Sequence, residues 1–195
     1  MANITIKRRE PFQFMLYLAM LGSMLIFGLF TFIYMARKTP AHWANFALPS
    51  AFWVSTGVIL LSSFTLHQAN HAFYRDQFSR YKWLTGLTLA LGVVFIALQY
   101  AGWEKMLQMD VLLQNNMAGA FIYVISGVHV LHIMGGLFFL AITFINAVRR
   151  TTYVDAFVYS VNPPNRLKLK LVTLYWHFVD ALWVYLFLFF LYHHR

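Results

Sequence analysis

Residues 171–192 read LVTLYWHFVDALWVYLFLFFLY, twenty-two residues in which His177 and Asp180 are the only ionisable groups besides tyrosine. At about 1.5 Å per residue, a helix of this length covers the roughly 30 Å hydrocarbon core of a bilayer. It is apolar all round rather than along one stripe, so it is a spanning helix and not the surface helix of a soluble domain. Its polarity is gathered in Tyr175, Trp176, His177, Asp180 and Trp183. Trp176, Asp180 and Trp183 fall at i, i+4 and i+7, one row of a helix, and His177 lies three residues before Asp180. A carboxylate at such depth needs a partner or a proton. His177 on the same helix, or His129 or His132 on another, are the candidate partners, and proton-relay chemistry is the alternative.

Four more stretches of this kind precede it, near 12–35, 47–71, 82–103 and 117–148. The expected fold is therefore all-α: a single domain over 1–195, an integral membrane bundle of five transmembrane helices. The first stretch follows Lys7-Arg8-Arg9 but exceeds the roughly 7–15 residues of a signal-peptide core, so it reads as a retained span. The fourth is longer than a bilayer requires and should tilt or project at its Arg149-Arg150 end. Composition agrees. Hydrophobic residues make up 61% and charged residues 11%, whereas a soluble domain carries about 25% charged residues to face water.

The formal net charge of +9 does not point to nucleic acid. The basic residues stand in short runs at the margins of the apolar stretches, where Lys and Arg meet lipid headgroups. Lys7, Arg8 and Arg9, Arg75, Arg80 and Lys82, and Arg149, Arg150, Arg166, Lys168 and Lys170 fall on one side of a five-span chain. Arg37, Lys38, Lys105 and Arg195 fall on the other. The positive-inside rule then sets the N-terminus in the cytoplasm and the C-terminus outside. The absence of cysteine removes disulfides, thiolate metal sites and iron–sulfur clusters together. Two connectors stand out. Residues 104–116 read as a short helix along the outer interface, and Pro163-Pro164 should break any helix before the last span.

The remaining intramembrane polar residues lie on two spans. His67 and His71 are i and i+4 on one face, a spacing that suits a metal or, beside Ser63 and Asn70, interhelical hydrogen bonds. His129, His132 and Gly136 form an i, i+3, i+7 stripe that Ser126 extends, and the small residue lets a neighbouring backbone approach. A b-type haem would need axial histidines at matching depth on facing helices, and the depths of His67 or His71 and of His132 do not match well. Carboxylate-bridged di-iron sites want several glutamates, and Glu10 and Glu104 are the only two here.

Three segments resemble cytochrome c oxidase subunit III, the third subunit of haem–copper oxidases. Ser62-Ser63-Phe64-Thr65 with His67 and His71, followed by Leu91-Gly92, Phe95 and Gln99, is similar to one family stretch. Gly127-Val128-His129-Val130-Leu131-His132 with Gly135-Gly136 resembles a second. Tyr175-Trp176-His177-Phe178-Val179-Asp180 with Trp183 resembles the third. The likeness covers residues 12–192 and fits the family's five-helix form.

The resemblance implies a non-catalytic accessory subunit of a proton-pumping terminal oxidase, taking electrons from cytochrome c to O2, in a bacterial-type inner membrane. It implies subunits I and II as partners, a larger respiratory supercomplex as a further setting, and membrane lipids including bound phospholipid. No cofactor is expected in this chain, with haem and copper in the partner subunits. The equivalent subunit of a quinol oxidase or of a nitric oxide reductase-type complex is the alternative; a b-haem anchor or a small transporter belongs to a different class. Two positions depart from the family pattern. Met24 follows Ser23 where the family often carries a glutamate, and Lys170 stands where an acidic residue is common.

Overall fold

A computed structural model describes residues 11–38, 48–109, 117–150 and 152–194. It contains helices α1 (Pro11–Ala36), α2 (Ser50–Tyr74), α3 (Phe78–Gln108), α4 (Met117–Arg149), α5 (Tyr153–Val161) and α6 (Pro163–His193). All but α5 are long and apolar enough to cross a membrane. The five expected spans are present, and the Lys7-Arg8-Arg9 run lies outside the described residues.

Four of the helices bury a line of residues spaced alternately three and four apart. On α2 it runs Phe52, Ser55, Ile59, Ser62, Leu66, Ala69 and Phe73. On α3 it runs from Phe78 and Tyr81 through Thr85, Thr88, Gly92, Phe95, Gln99 and Gly102 to Met106. On α4 it includes Ile122, Ser126, His129, Ile133, Gly136 and Leu140. On α6 it is Leu169, Thr173, Trp176, Asp180, Trp183, Phe187 and Phe190. A 3.5-residue repeat is slightly shorter than the helical 3.6, so the seam stays on the facing side only if the helices wind left-handedly. The line holds serines, threonines, glycines and tryptophans as well as aliphatics, and this is why its period is weak in hydrophobicity alone.

Helix α1 stands apart. It buries only Phe27, Thr31 and Tyr34, and it leans on α4 and α6. Its C-terminal end is pinned where the Tyr34 hydroxyl meets His194 Nε2 at 2.7 Å. Burial, with His193 and Lys38 adding to it, pushes the His194 imidazole down to about 4 from an ordinary 6.5. The folded state thus binds this proton less readily than the unfolded one, so its contribution to stability is whole above about pH 6.5 and declines as pH falls toward 4. Acidification across that window is expected to loosen the α1–α6 contact in the wild type. In His194→Phe the loosening should be smaller, as read by hydrogen exchange of the Ile33–Arg37 amides.

The α2–α3 turn is tight because Gln77 N–H reaches back to Ala72 O (2.9 Å) and Asp76 N–H to Phe73 O (3.3 Å). This ending requires a left-handed residue just past the helix, and Asp76 supplies it with φ of 58°.

The first of the two connectors differs from expectation, and the second breaks at its prolines as expected. Residues 104–108 continue α3 instead of starting a separate interfacial helix, so Glu104 belongs to that helix; residues 110–116 lie outside the described set. Pro163-Pro164 ends one helix and begins the next. With α5 stopping at Val161, Pro163 occupies the first position of α6, where a missing N–H costs nothing. The last helix therefore starts two turns earlier than the expected 171 and carries Arg166, Lys168 and Lys170 on its projecting end. Helix α5 is anchored there by Arg166 Nε–H donating to Ser160 O at 2.6 Å. The Arg150 guanidinium lies 3.5 Å from the Tyr159 ring centre.

Candidate functional site, a polar clasp around the last helix

The polar residues of α6 are divided between two neighbours. Toward α2, they make a ladder. Trp183 Nε1–H donates to Thr56 Oγ1 (3.0 Å) and Trp176 Nε1–H to Ser62 Oγ (3.1 Å). His177 Nδ1 shares a hydrogen with Ser63 Oγ (2.6 Å), and Asn70 Nδ2–H donates to Thr173 Oγ1 (3.1 Å). Ser62 and Thr56 in turn donate to carbonyls on their own helix, Ile59 O and Phe52 O. Each hydroxyl is thus both acceptor and donor, as a dry interior demands. Each rung joins residues at matching depth along the antiparallel pair, from Thr56 with Trp183 to Asn70 with Thr173, which sets the register of α6 against α2.

Toward α4, α6 packs by shape. Gly136 lies under the Trp176 ring, so that a Cβ there would sit 3.2 Å from Trp176 Cε3 and 3.3 Å from Tyr175 Cε1. From the other side, Gly92 of α3 meets the far edge of the same ring, with a built Cβ 2.8 Å from Trp176 Cη2. Trp176 is fully buried between these two glycines. Tyr175 O–H closes the contact by donating to His132 O (3.1 Å).

His132 joins α4 to α1. Its Nδ1 lies 2.8 Å from Val128 O and its Nε2 3.1 Å from Ser23 Oγ. A carbonyl only accepts, so Nδ1–H donates to Val128 O, and Nε2 shares the second hydrogen bond with the Ser23 hydroxyl. Ser126 completes the stripe on α4, accepting from Trp103 Nε1–H at 2.9 Å. Ser126, His132 and Gly136 thus face α3, α1 and α6 in turn.

Two expected partners do not meet. Asp180 is 3% exposed, and its carboxyl oxygens make no hydrogen bond of normal geometry among the described residues, although the Ser63 side chain acts on the carboxyl from α2. His177 turns its Nδ1 to Ser63, and His132 is held by Ser23 and Val128, so neither makes a hydrogen bond to the carboxyl. His129 is fully buried, and its two nitrogens make no hydrogen bond among the described residues. It is walled by the rings of Trp183 (5.2 Å between centres), Phe95 (5.9 Å) and Phe27 (6.3 Å).

His67 and His71 differ again. Both are exposed on the outer face of α2, and neither makes a hydrogen bond among the described residues, while their neighbours Ser63 and Asn70 do. No three His, Asp or Glu side chains converge among the described residues. Met24 is 58% exposed, so the position matched to the family's glutamate faces outward while Ser23 beside it turns to His132.

Several members of the clasp carried no functional signal of their own: Ser62, Thr65 and Gln99 stood out only through the family likeness, and Ser55, Thr56 and Thr88 not at all. Thr65 and Thr88 share a hydrogen bond at 2.9 Å between α2 and α3, and Gln99 Nε2–H donates to Ser55 Oγ at 3.0 Å. Thr56 and Ser62 are acceptors for the two tryptophans. The signal that could have found them is their place on the 3–4 spaced line, a row of small polar residues in otherwise apolar helices.

The sequence is similar to known proteins along nearly its whole length. The family model for cytochrome c oxidase subunit III matches residues 9–195. The cytochrome c oxidase subunit 3 of a Synechocystis species is 28% identical over 171 residues, covering 85% of this chain and 68% of its own length. The probable cytochrome c oxidase subunit 3 of Nocardia farcinica is 31% identical over 175 residues, covering 86% and 81%. That of a Bacillus species is 25% identical over 191 residues, covering 95% and 86%. With a family match across nearly its whole length and five membrane-length helices locked by the Trp176 and His132 contacts, the chain belongs to the cytochrome c oxidase subunit III family.

Proposed function

We propose that this chain is a non-catalytic subunit of a proton-pumping terminal oxidase that passes electrons from cytochrome c to O2. In this role it stabilises the catalytic subunit I and supports proton uptake. The observation that carries the reading is the use made of the polar side chains. Thr56, Ser62, Ser63, His132 and Trp176 are spent on helix-to-helix bonds that rigidify the bundle. Such a bundle is suited to bracing a neighbour. Haem and copper belong to subunits I and II in this reading, and the setting is a bacterial-type inner membrane. The N-terminus lies in the cytoplasm, with Arg166, Lys168 and Lys170 on that side. The apolar groove between α3 and α4, lined by Trp83, Gly86, Leu87, Ala90 and Phe144 and ending at Lys82, suits a phospholipid acyl chain.

The test is purification of the tagged chain in mild detergent followed by mass spectrometry and an optical spectrum. Recovery of a large haem-bearing subunit I with subunit II is the expected result. Stoichiometric haem held by this chain without subunit I would refute the reading. A variant sharpens it. Asp180→Ala is expected to lower the yield of complex by about fivefold, the scale of one intramembrane polar contact, here the one between the buried carboxyl and the Ser63 side chain. The haem spectrum of whatever complex forms should be unchanged. An altered spectrum in a fully assembled variant would show that Asp180 acts on the redox centres.

A further inference from the structure

The outer surface of the bundle is apolar on nearly every side. The exposed residues of α1 along Pro11–Ala36 are Phe, Leu, Met, Ile, Tyr, Ala, Gly and Pro, and those of α3 and α4 within their spans are of the same kind. Away from the projecting helix ends, His67 and His71 are the exposed side chains that depart from this pattern among the described residues.

Depth separates the two. Helix α2 has 25 residues, about 37 Å against a hydrocarbon core of roughly 30 Å. His71 lies one turn from the helix end, near the level of exposed Lys170, because Asn70 is bonded to Thr173 on α6. It can reach the headgroups. His67 is a turn further in, about 6 Å deeper, and an imidazole is too short to snorkel that distance as lysine does. Beside it is the half-buried His177, whose Nδ1 is taken by Ser63 and whose Nε2 has no bond among the described residues. An uncovered donor in hydrocarbon is costly, and here two imidazoles share one edge.

We propose that the α2–α6 edge centred on His67 is covered by a membrane-spanning helix of another oxidase subunit, which presents a hydrogen-bond acceptor to the imidazole. The inference rests on the family's membership of a multi-subunit complex. Chemistry selects the occupant. The edge carries His67, His71 and Lys170 and no exposed acidic group, so a second copy packed by a twofold axis would set like charges together. A partner helix with a carboxylate or an unpaired carbonyl at that depth complements it. The apolar faces of α1 and α3 are then left to lipid.

The experiment uses the intact complex. Phe64, 59% exposed and one turn from His67 on the same face, is replaced by the photo-crosslinker p-benzoylphenylalanine, as are Leu25 on α1 and Val93 on α3. Position 64 is expected to crosslink to a second oxidase subunit, identified by mass spectrometry, while 25 and 93 give lipid adducts. Lipid adducts alone at 64, or a crosslink between two copies of this chain, would overturn the proposal while leaving the subunit assignment standing. Failure to recover any other oxidase subunit would remove both. As a second measurement, His67→Leu should lower retention of this chain on the washed complex by about fivefold, the cost of one intramembrane hydrogen bond, with His67→Gln recovering most of it. Equal retention of all three would also overturn the proposal.

Discussion

Trp176→Ala is expected to destabilise the subunit by about 3–5 kcal/mol, the range for removing a large aromatic side chain from a close-packed interior. The site is poorly placed to recover. The indole is fully buried, with Gly92 on one side and Gly136 on the other, and neither glycine has a side chain that can swing into the gap. The change also strips Ser62 of its donor from α6. Trp176→Phe separates these effects. It keeps most of the packing but loses the N–H, which is worth about 1 kcal/mol. The measurement is the fraction of monodisperse protein remaining after graded heating in mild detergent. The expected order is wild type, then Trp176→Phe, then Trp176→Ala far below. An alanine variant as robust as wild type would mean that the indole does not hold α3, α4 and α6 together.

The converse substitution should be as damaging. Gly92→Leu places a branched side chain where even a Cβ would lie 2.7 Å from Leu137 Cδ2 and 2.8 Å from Trp176 Cη2. Leu137 is flexible and can turn aside. Trp176 cannot, because its N–H is held by Ser62 and its opposite edge rests on Gly136. Helix α3 would have to withdraw, breaking the seam that includes Thr88, Phe95 and Gln99. Loss of folded protein is the expected outcome. Gly92→Ala is milder, with overpacking of about 1–3 kcal/mol. Trp176→Phe should relieve that overpacking, because a phenyl ring does not extend to where Cη2 lies. The double variant Gly92→Ala with Trp176→Phe is thus expected to be more stable than the two single changes sum to, a coupling typical of touching residues. Strict additivity would contradict the contact.

These effects show why some of the site was legible in the sequence and some was not. Tyr175, Trp176, His177 and Asp180 drew notice because ionisable and aromatic groups are conspicuous in an apolar run. Gly136 was legible for a related reason, since a small residue on a histidine stripe signals close approach. Gly92 gave only a family likeness, because nothing local to α3 says which ring will arrive from α6. The choice among His177, His129 and His132 as partners for Asp180 was not legible for the same reason. His177 is its neighbour along one helix, but its Nδ1 turns to Ser63, more than a hundred residues away in the chain.

By itself the sequence determined that this protein is a bundle of five membrane-spanning helices. Length and uniform hydrophobicity are set residue by residue, and a backbone in lipid has to satisfy its own hydrogen bonds within each helix. It also determined the family, because the Tyr-Trp-His-Phe-Val-Asp run and the paired histidines of α4 are local patterns. Tertiary structure decided which imidazole is buried, which is clasped and which is left outward. His129, His132 and His67 are equivalent in one dimension, each a histidine in an apolar helix. They became a ring-walled core residue, a bridge to Ser23 and an uncovered donor only when α1, α4 and α6 took their places. In lipid there is little hydrophobic preference for one helix face over another, so contacts between distant segments decide the rotation of each helix.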